Sequence, residues 1–273
     1  MKILIAADME GITGVVAWDQ VNPNHPEYAR FRRLMTGDVN AAIRGAFDGG
    51  ADEVIVTDGH NNGRNILIEE LDSRARLNSG SPAPFSMVQG VESGVDAMMY
   101  VGYHARMGAQ NGICDHTWSD ERVAGLQLNG QVFGEIGLNA AVAGHFGVPL
   151  IFISGDQTAC AEAAAVVGPL EQAVVKQAHG RFAAECLPPA VSQAKIEAGV
   201  KAAVQRCKQG QAPQPLRLAA PVTMTLDFVQ SEMADKAALL PGATRHERRL
   251  EYTAADMVAI YRAFRAALAL ARG

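Results

Sequence analysis

Lys2-Ile-Leu-Ile-Ala-Ala-Asp8-Met-Glu10-Gly11 opens with an apolar run of strand length and ends in two carboxylates spaced i, i+2, followed by a glycine. It predicts a strand that delivers a charged pair to its carboxyl end. Side chains two apart in extended backbone point the same way, so Asp8 and Glu10 can converge on one cation, or Asp8 can bridge two. Buried carboxylates that close repel each other unless positive charge stands between them. The plainer alternative is that both acids cap the following segment.

The same arrangement recurs along the chain. Tyr28, Phe31, Met35, Val39, Ile43 and Phe47 fall three and four apart, one apolar helix face running to Gly49-Gly50. A second strand, Glu53-Val-Ile-Val-Thr57, exits into Asp58-Gly-His60. A third, Ala97-Met-Met-Tyr-Val101, exits into Gly102-Tyr-His104, and a fourth, Pro149 to Ser154, into Gly155-Asp156. Between the last two lie an irregular polar stretch with Cys114 and His116, a hairpin turning on Asn129-Gly130, and a small-residue helix opened by Glu135. Strands alternating with helices predict an α/β fold, a mostly parallel sheet covered by helices, with ligands outside the carboxyl ends of its strands. Asp8, Glu10, His60, His104 and Asp156 all fall at that edge.

Past Thr158 the chain turns Ala-rich and helical, Gly210 to Pro215 resembles a linker, and Arg217 to Val229 alternates as a half-buried strand. Thr253 to Asp256 has the form of a capping box for the last helix. The expected division is an α/β metal-binding domain over 1–157 and a smaller C-terminal α+β domain over 158–273.

Composition narrows the function. With 48% hydrophobic and 19% charged residues in 273, the chain has enough apolar material for a sizeable core. A net charge of −5 with no long basic tract argues against a nucleic-acid partner, and Arg245 to Arg249 is expected to be a solvated turn. No apolar run reaches transmembrane length and the first residues enter a strand directly, so no membrane partner and a cytoplasmic location are expected. Four scattered cysteines without a CxxC pair are expected to be free thiols.

Carboxylates and imidazoles in this number suit zinc or a similar divalent ion, and more donors than one tetrahedral ion needs suggest a metal pair sharing a carboxylate, as in hydrolases. His116 and Cys114 are candidate catalytic groups. An inert buried thiol is the simpler account of Cys114.

Asp8-Met-Glu10-Gly11-Ile, Asp58-Gly-His60, Gly102-Tyr-His104, Asp115-His116-Thr and Gly134-Glu135 occur in an order that resembles the zinc-dependent D-aminopeptidases encoded with bacterial dipeptide-transport genes. The resemblance implies two zinc ions per chain, with Asp8 bridging, Glu10 and His104 on one ion, and His60 and Glu135 on the other. It implies His116 as the catalytic histidine, short peptides with an N-terminal D-residue as substrates, and a homo-oligomer, a decamer enclosing its active sites. Two other functions fit the same edge. A two-metal phosphoesterase or deacetylase would want basic residues, of which Arg64 and Arg106 lie near the motifs. A non-catalytic metal- or dipeptide-binding protein would have no use for His116.

Overall fold

A computed structural model describes residues 1–272. In chain order the elements are β1 (Lys2–Ala7), α1 (Tyr28–Asp48), β2 (Glu53–Asp58), β3 (Ala75–Asn78), β4 (Ala97–Tyr103), β5 (Val123–Leu128), β6 (Gln131–Val132), α2 (Glu135–His145) and β7 (Leu150–Asp156). Then follow α3 (Gln157–Val167), β8 (Glu171–Gly180), β9 (Ala183–Cys186), α4 (Pro189–Lys208), β10 (Val222–Phe228), α5 (Ser231–Ala237), β11 (Thr244–His246), β12 (Arg249–Ala254) and α6 (Met257–Leu270).

The strands form a seven-stranded sheet in the order β3-β2-β1-β4-β7-β8-β9 and a five-stranded sheet in the order β11-β12-β10-β5-β6. All pairings in the large sheet are parallel except the edge pair β8/β9, and the small sheet is antiparallel throughout. Strands β5 and β6 join the small sheet, while β8 and β9 join the large one, so the chain crosses between the sheets more than once.

The pleat of β1 explains the layering. Ile3, Ile5 and Ala7 face one core with α1 and α4, whereas Leu4 and Ala6 face the other, with α2, α6 and the inner side of the small sheet. Burial on both faces accounts for the near-continuous apolar runs of β1, β2, β4 and β7. Helix α1 buries Phe31, Met35, Val39 and Ile43 as its periodicity predicts. Gly45 lets α4 lie close, because a Cβ there would stand 2.3 Å from the Glu197 carbonyl.

Other expectations are corrected. The half-buried strand begins at Val222, not Arg217, since Pro221 has no amide hydrogen to give to a ladder. The last helix is capped by Asp256, whose carboxylate accepts from the Ala259 amide, and Thr253 belongs to β12. Arg245 to Arg249 is the turn of a β11/β12 hairpin with Glu247 at φ 54°, exposed as expected. Among the described residues no helix is long and apolar enough to cross a membrane. All four cysteines are free.

Candidate active site

Strand order assembles the site. β1 lies between β2 and β4, at the point where the direction of strand addition reverses. Asp8 and Glu10 leave β1, His60 follows β2 and His104 follows β4, so groups distant in sequence stand side by side. Glu135 enters from the first turn of α2, and His116 from the irregular segment between β4 and β5. The turn after Glu10 is pressed against the end of β4. The Gly11 amide donates to the Gly102 carbonyl at 2.8 Å, and a Cβ on Gly11 would lie 2.0 Å from the Tyr103 carbonyl oxygen.

Each of the three histidines is oriented by a backbone carbonyl. His60 Nε2 lies 2.9 Å from the Val21 oxygen, His104 Nδ1 3.0 Å from that of Ala105, and His116 Nδ1 2.8 Å from that of Cys114. A carbonyl only accepts, so these nitrogens carry the proton and the opposite nitrogens present their lone pairs inward when the rings are neutral. His60 Nδ1 stands 3.2 Å from Glu10 Oε2 and 3.4 Å from Asp8 Oδ1. His104 Nε2 stands 3.2 Å from Glu135 Oε1 and 3.3 Å from Asp8 Oδ2. His116 stacks on His104 at 3.9 Å, with its Nε2 3.6 Å from Glu135 Oε1.

Burial alone would neutralise these groups. Instead, the histidines outweigh desolvation and hold Asp8 well below the usual carboxylate range and Glu10 below it too. Burial likewise opposes charge on His60 and His104, and the Glu10, Glu135 and Asp8 carboxylates overcome it, raising both rings well above the ordinary histidine value. Two of the atoms stay unsatisfied: Glu10 Oε2 and His104 Nε2 are buried without an aligned hydrogen bond. Donor atoms of Asp8, Glu10 and His104 all lie within 4.8 Å of one another, as do those of His104, His116 and Glu135. Orphaned buried donors, inward lone pairs and a mixed N/O set fit a divalent metal of the zinc type.

Asp8, Glu10, His60, His116 and Glu135 line a cavity of about 670 Å³, with His104 buried behind them. Its wall also carries Arg122, Arg265 and Arg272, which no motif or spacing links to the sheet edge, because α6 and the segment before β5 meet only in the fold. Arg64 is exposed and Arg106 lines a separate cavity, so neither basic residue near the motifs belongs to this wall. Lys176 is a second omission. It sits on β8 with its ammonium buried, donating to the carbonyls of Glu10, Ile12 and Val15 at 2.6, 2.9 and 2.7 Å. A lysine inside an apolar strand run was the available signal.

Two candidates resolve as structural. Asp156 caps α3 through the Ala159 amide at 2.8 Å and also accepts from the Ile113 amide at 2.7 Å, so it anchors the His116 segment from outside the cavity wall. Burial pushes the Cys114 thiol up to about 12, which leaves no thiolate near neutral pH.

A parallel-sheet edge that gathers three buried carboxylates and three inward-facing imidazoles at one cavity defines a hydrolase of the metal-assisted class. The family model described as Peptidase_M55, D-aminopeptidase, matches residues 1–266, and the chain belongs to that family. It is 33% identical over 265 residues to a D-aminopeptidase of Bacillus subtilis (strain 168), spanning 96% of this chain and 95% of the relative. It is also similar, with a TM-score of 0.95 and 33% identity, to the solved zinc-dependent D-aminopeptidase DppA from Bacillus subtilis, described as a self-compartmentalizing protease. That match covers 99% of this chain and 98% of the other.

Proposed function

We propose that this chain removes the N-terminal residue from short peptides of D-configuration, such as D-Ala-D-Ala, with two zinc ions per chain. The observation that carries the proposal is the convergence of Asp8, Glu10, His60, Glu135 and His116 on one cavity, with His104 buried against them. Asp8 would bridge the ions, Glu10 and His104 would complete one site, and His60 and Glu135 the other. The Asp8, Glu10 and His104 donors form one of the two compact triads, which supports the first assignment. When bound, zinc supplies Lewis acidity toward a carbonyl oxygen and acidifies water.

The chain's own groups supply position and proton transfer. The carboxylate cluster attracts the free amine of the peptide, and the carbonyl-anchored rings keep their lone pairs fixed. Five donors suffice without His116, whose Nε2 is free to take a proton from the attacking water and return it to the leaving amine. A cytoplasmic, homo-oligomeric protein, a decamer by family resemblance, completes the proposal; the self-compartmentalizing relative supports assembly.

His116→Ala is expected to retain both metals and lose on the order of 10²–10⁴ in kcat. His60→Ala is expected to lose metal. Metal content measured beside turnover of D-Ala-D-Ala and L-Ala-L-Ala decides. Metal loss in His116→Ala makes it a ligand, as its place in the triad with His104 and Glu135 would allow. An L preference removes the stereochemical assignment, and faster turnover of an aryl phosphate than of either peptide removes the peptidase one.

A further inference from the structure

The cavity wall carries two kinds of charge. Opposite the acids of the sheet edge stand Arg122, just before β5, Arg265 in α6 and Arg272 just after it. Trp118 joins these segments, packing edge-on against Phe264 of α6 at 5.2 Å, so the loop that carries His116 also holds Arg122 beside the end of α6. Arg265 is partly committed to structure. Its Nη1 donates to the carbonyls of Ala83 and Pro84, fixing the loop behind Pro82 as another part of the wall.

Arg122 and Arg272 have no such commitment. Among the described residues neither has a carboxylate within ion-pair distance, although the exposed Asp120 lines the same cavity. Arg122 Nε is buried without any hydrogen-bond partner. Burial, and then the charge of Arg272, push Arg122 below the ordinary arginine range. Two guanidinium groups that repel each other across a cavity, one with an orphaned donor, make a receptor for a planar anion.

The identity of that anion rests on the aminopeptidase proposal above. A dipeptide held with its amine toward the carboxylates has one other charge, its α-carboxylate, within about one residue length (roughly 3.5 Å) of the scissile bond. The cavity is of small-ligand size. We propose that Arg122 and Arg272 form the subsite for the C-terminal carboxylate of a dipeptide, so that the enzyme prefers a free-acid substrate to its uncharged amide or anilide. Arg265 positions the wall of that subsite through its hydrogen bonds to the 83–84 backbone.

The test compares the zinc-reconstituted enzyme on D-alanyl-D-alanine, its C-terminal amide, and D-alanine 4-nitroanilide. The free acid is expected to be preferred over the amide on the order of 10- to 100-fold in kcat/KM, the range of a charge-assisted hydrogen-bond pair. Arg122→Gln and Arg272→Gln should each shrink the acid-to-amide ratio toward one, chiefly through KM for the acid, and Arg122→Lys should recover part of it. A folding defect lowers both rates and leaves their ratio unmoved. The proposal is overturned if the unaltered enzyme does not distinguish acid from amide, or if both glutamine variants keep its ratio. If none of the three compounds is cleaved, the aminopeptidase proposal fails and the subsite falls with it; if amide and anilide are cleaved as readily as the acid, the subsite alone falls.

Discussion

Lys176 sets a single ammonium against three carbonyl oxygens, and magnitudes decide what that arrangement does. Burial lowers its pKa from 10.5 to about 8, so holding the charge inside opposes folding by roughly 3 kcal/mol near neutral pH. Leaving buried carbonyls without a donor costs about 1–3 kcal/mol each, and the Ile12 carbonyl keeps the Val15 amide as a second partner. The two effects nearly cancel in Lys176→Met, whose unfolding free energy should stay within about 2 kcal/mol of the parent. Metal retention should suffer more, because the Glu10 backbone loses its anchor; a drop of about 10- to 100-fold in zinc affinity, the usual outer-shell effect, is expected in chelator competition. Unchanged affinity would make Lys176 a purely structural charge. Asp8, Glu10, His60 and His104 were legible in the sequence because each follows a recognisable strand, and strand ends in a parallel sheet share one edge. Arg122, Arg272 and Lys176 were not, because no periodicity signals which distant side chains a fold will place together.

At the scale of elements, the junction of β7 and α3 shows how far an N-cap can reach. Asp156 satisfies the Ala159 amide of its own helix and the Ile113 amide of the segment leading to His116. Asp156→Ala removes a cap of about 1 kcal/mol and strands a buried amide for about 1–3 more. Urea unfolding should show a loss of roughly 2–4 kcal/mol, accompanied by reduced turnover at full metal content. A loss under 1 kcal/mol would mean water takes over both amides. The elements legible beforehand were those whose burial pattern is simple: doubly covered β1, β2, β4 and β7, and amphipathic α1. The Asn129-Gly130 hairpin was legible through its turn, with φ of 50° and 78°. The region from Arg64 to Gly94 was not, since it contributes one four-residue strand, partly exposed, and short 3-10 turns with no period to read.

Across the whole molecule, pH and metal are linked through the same buried cluster. Without metal, His60 and His104 have folded pKa values above their unfolded value of 6.5, so the stability they contribute is complete below that pH and is lost as pH rises toward the folded values. Zinc requires neutral rings and displaces those protons, so its stabilising effect grows with pH. The difference in thermal midpoint between zinc-loaded and chelated protein should therefore widen from pH 6 to pH 8, as scanning calorimetry at fixed zinc would record. A gap that narrows would exclude these histidines as ligands. Asp38, pushed up to about 6 by burial, titrates at the low edge of that window, but it does so in zinc-loaded and chelated protein alike and cancels from the difference.

The Lys176 clamp also imposes an order of events on a chain made from one end. Asp8 and Glu10 leave a ribosome well before the donor that ties down the Glu10, Ile12 and Val15 carbonyls, which lies 166 positions after Glu10. Long-range closures of this kind come late, after local helices and neighbouring strands have formed. A nascent chain that has delivered its first strands thus presents carboxylates without a fixed geometry. If Lys176 supports zinc affinity as expected above, full affinity is reached only after β8 docks, so an unfinished polypeptide would hold metal more weakly than the folded chain.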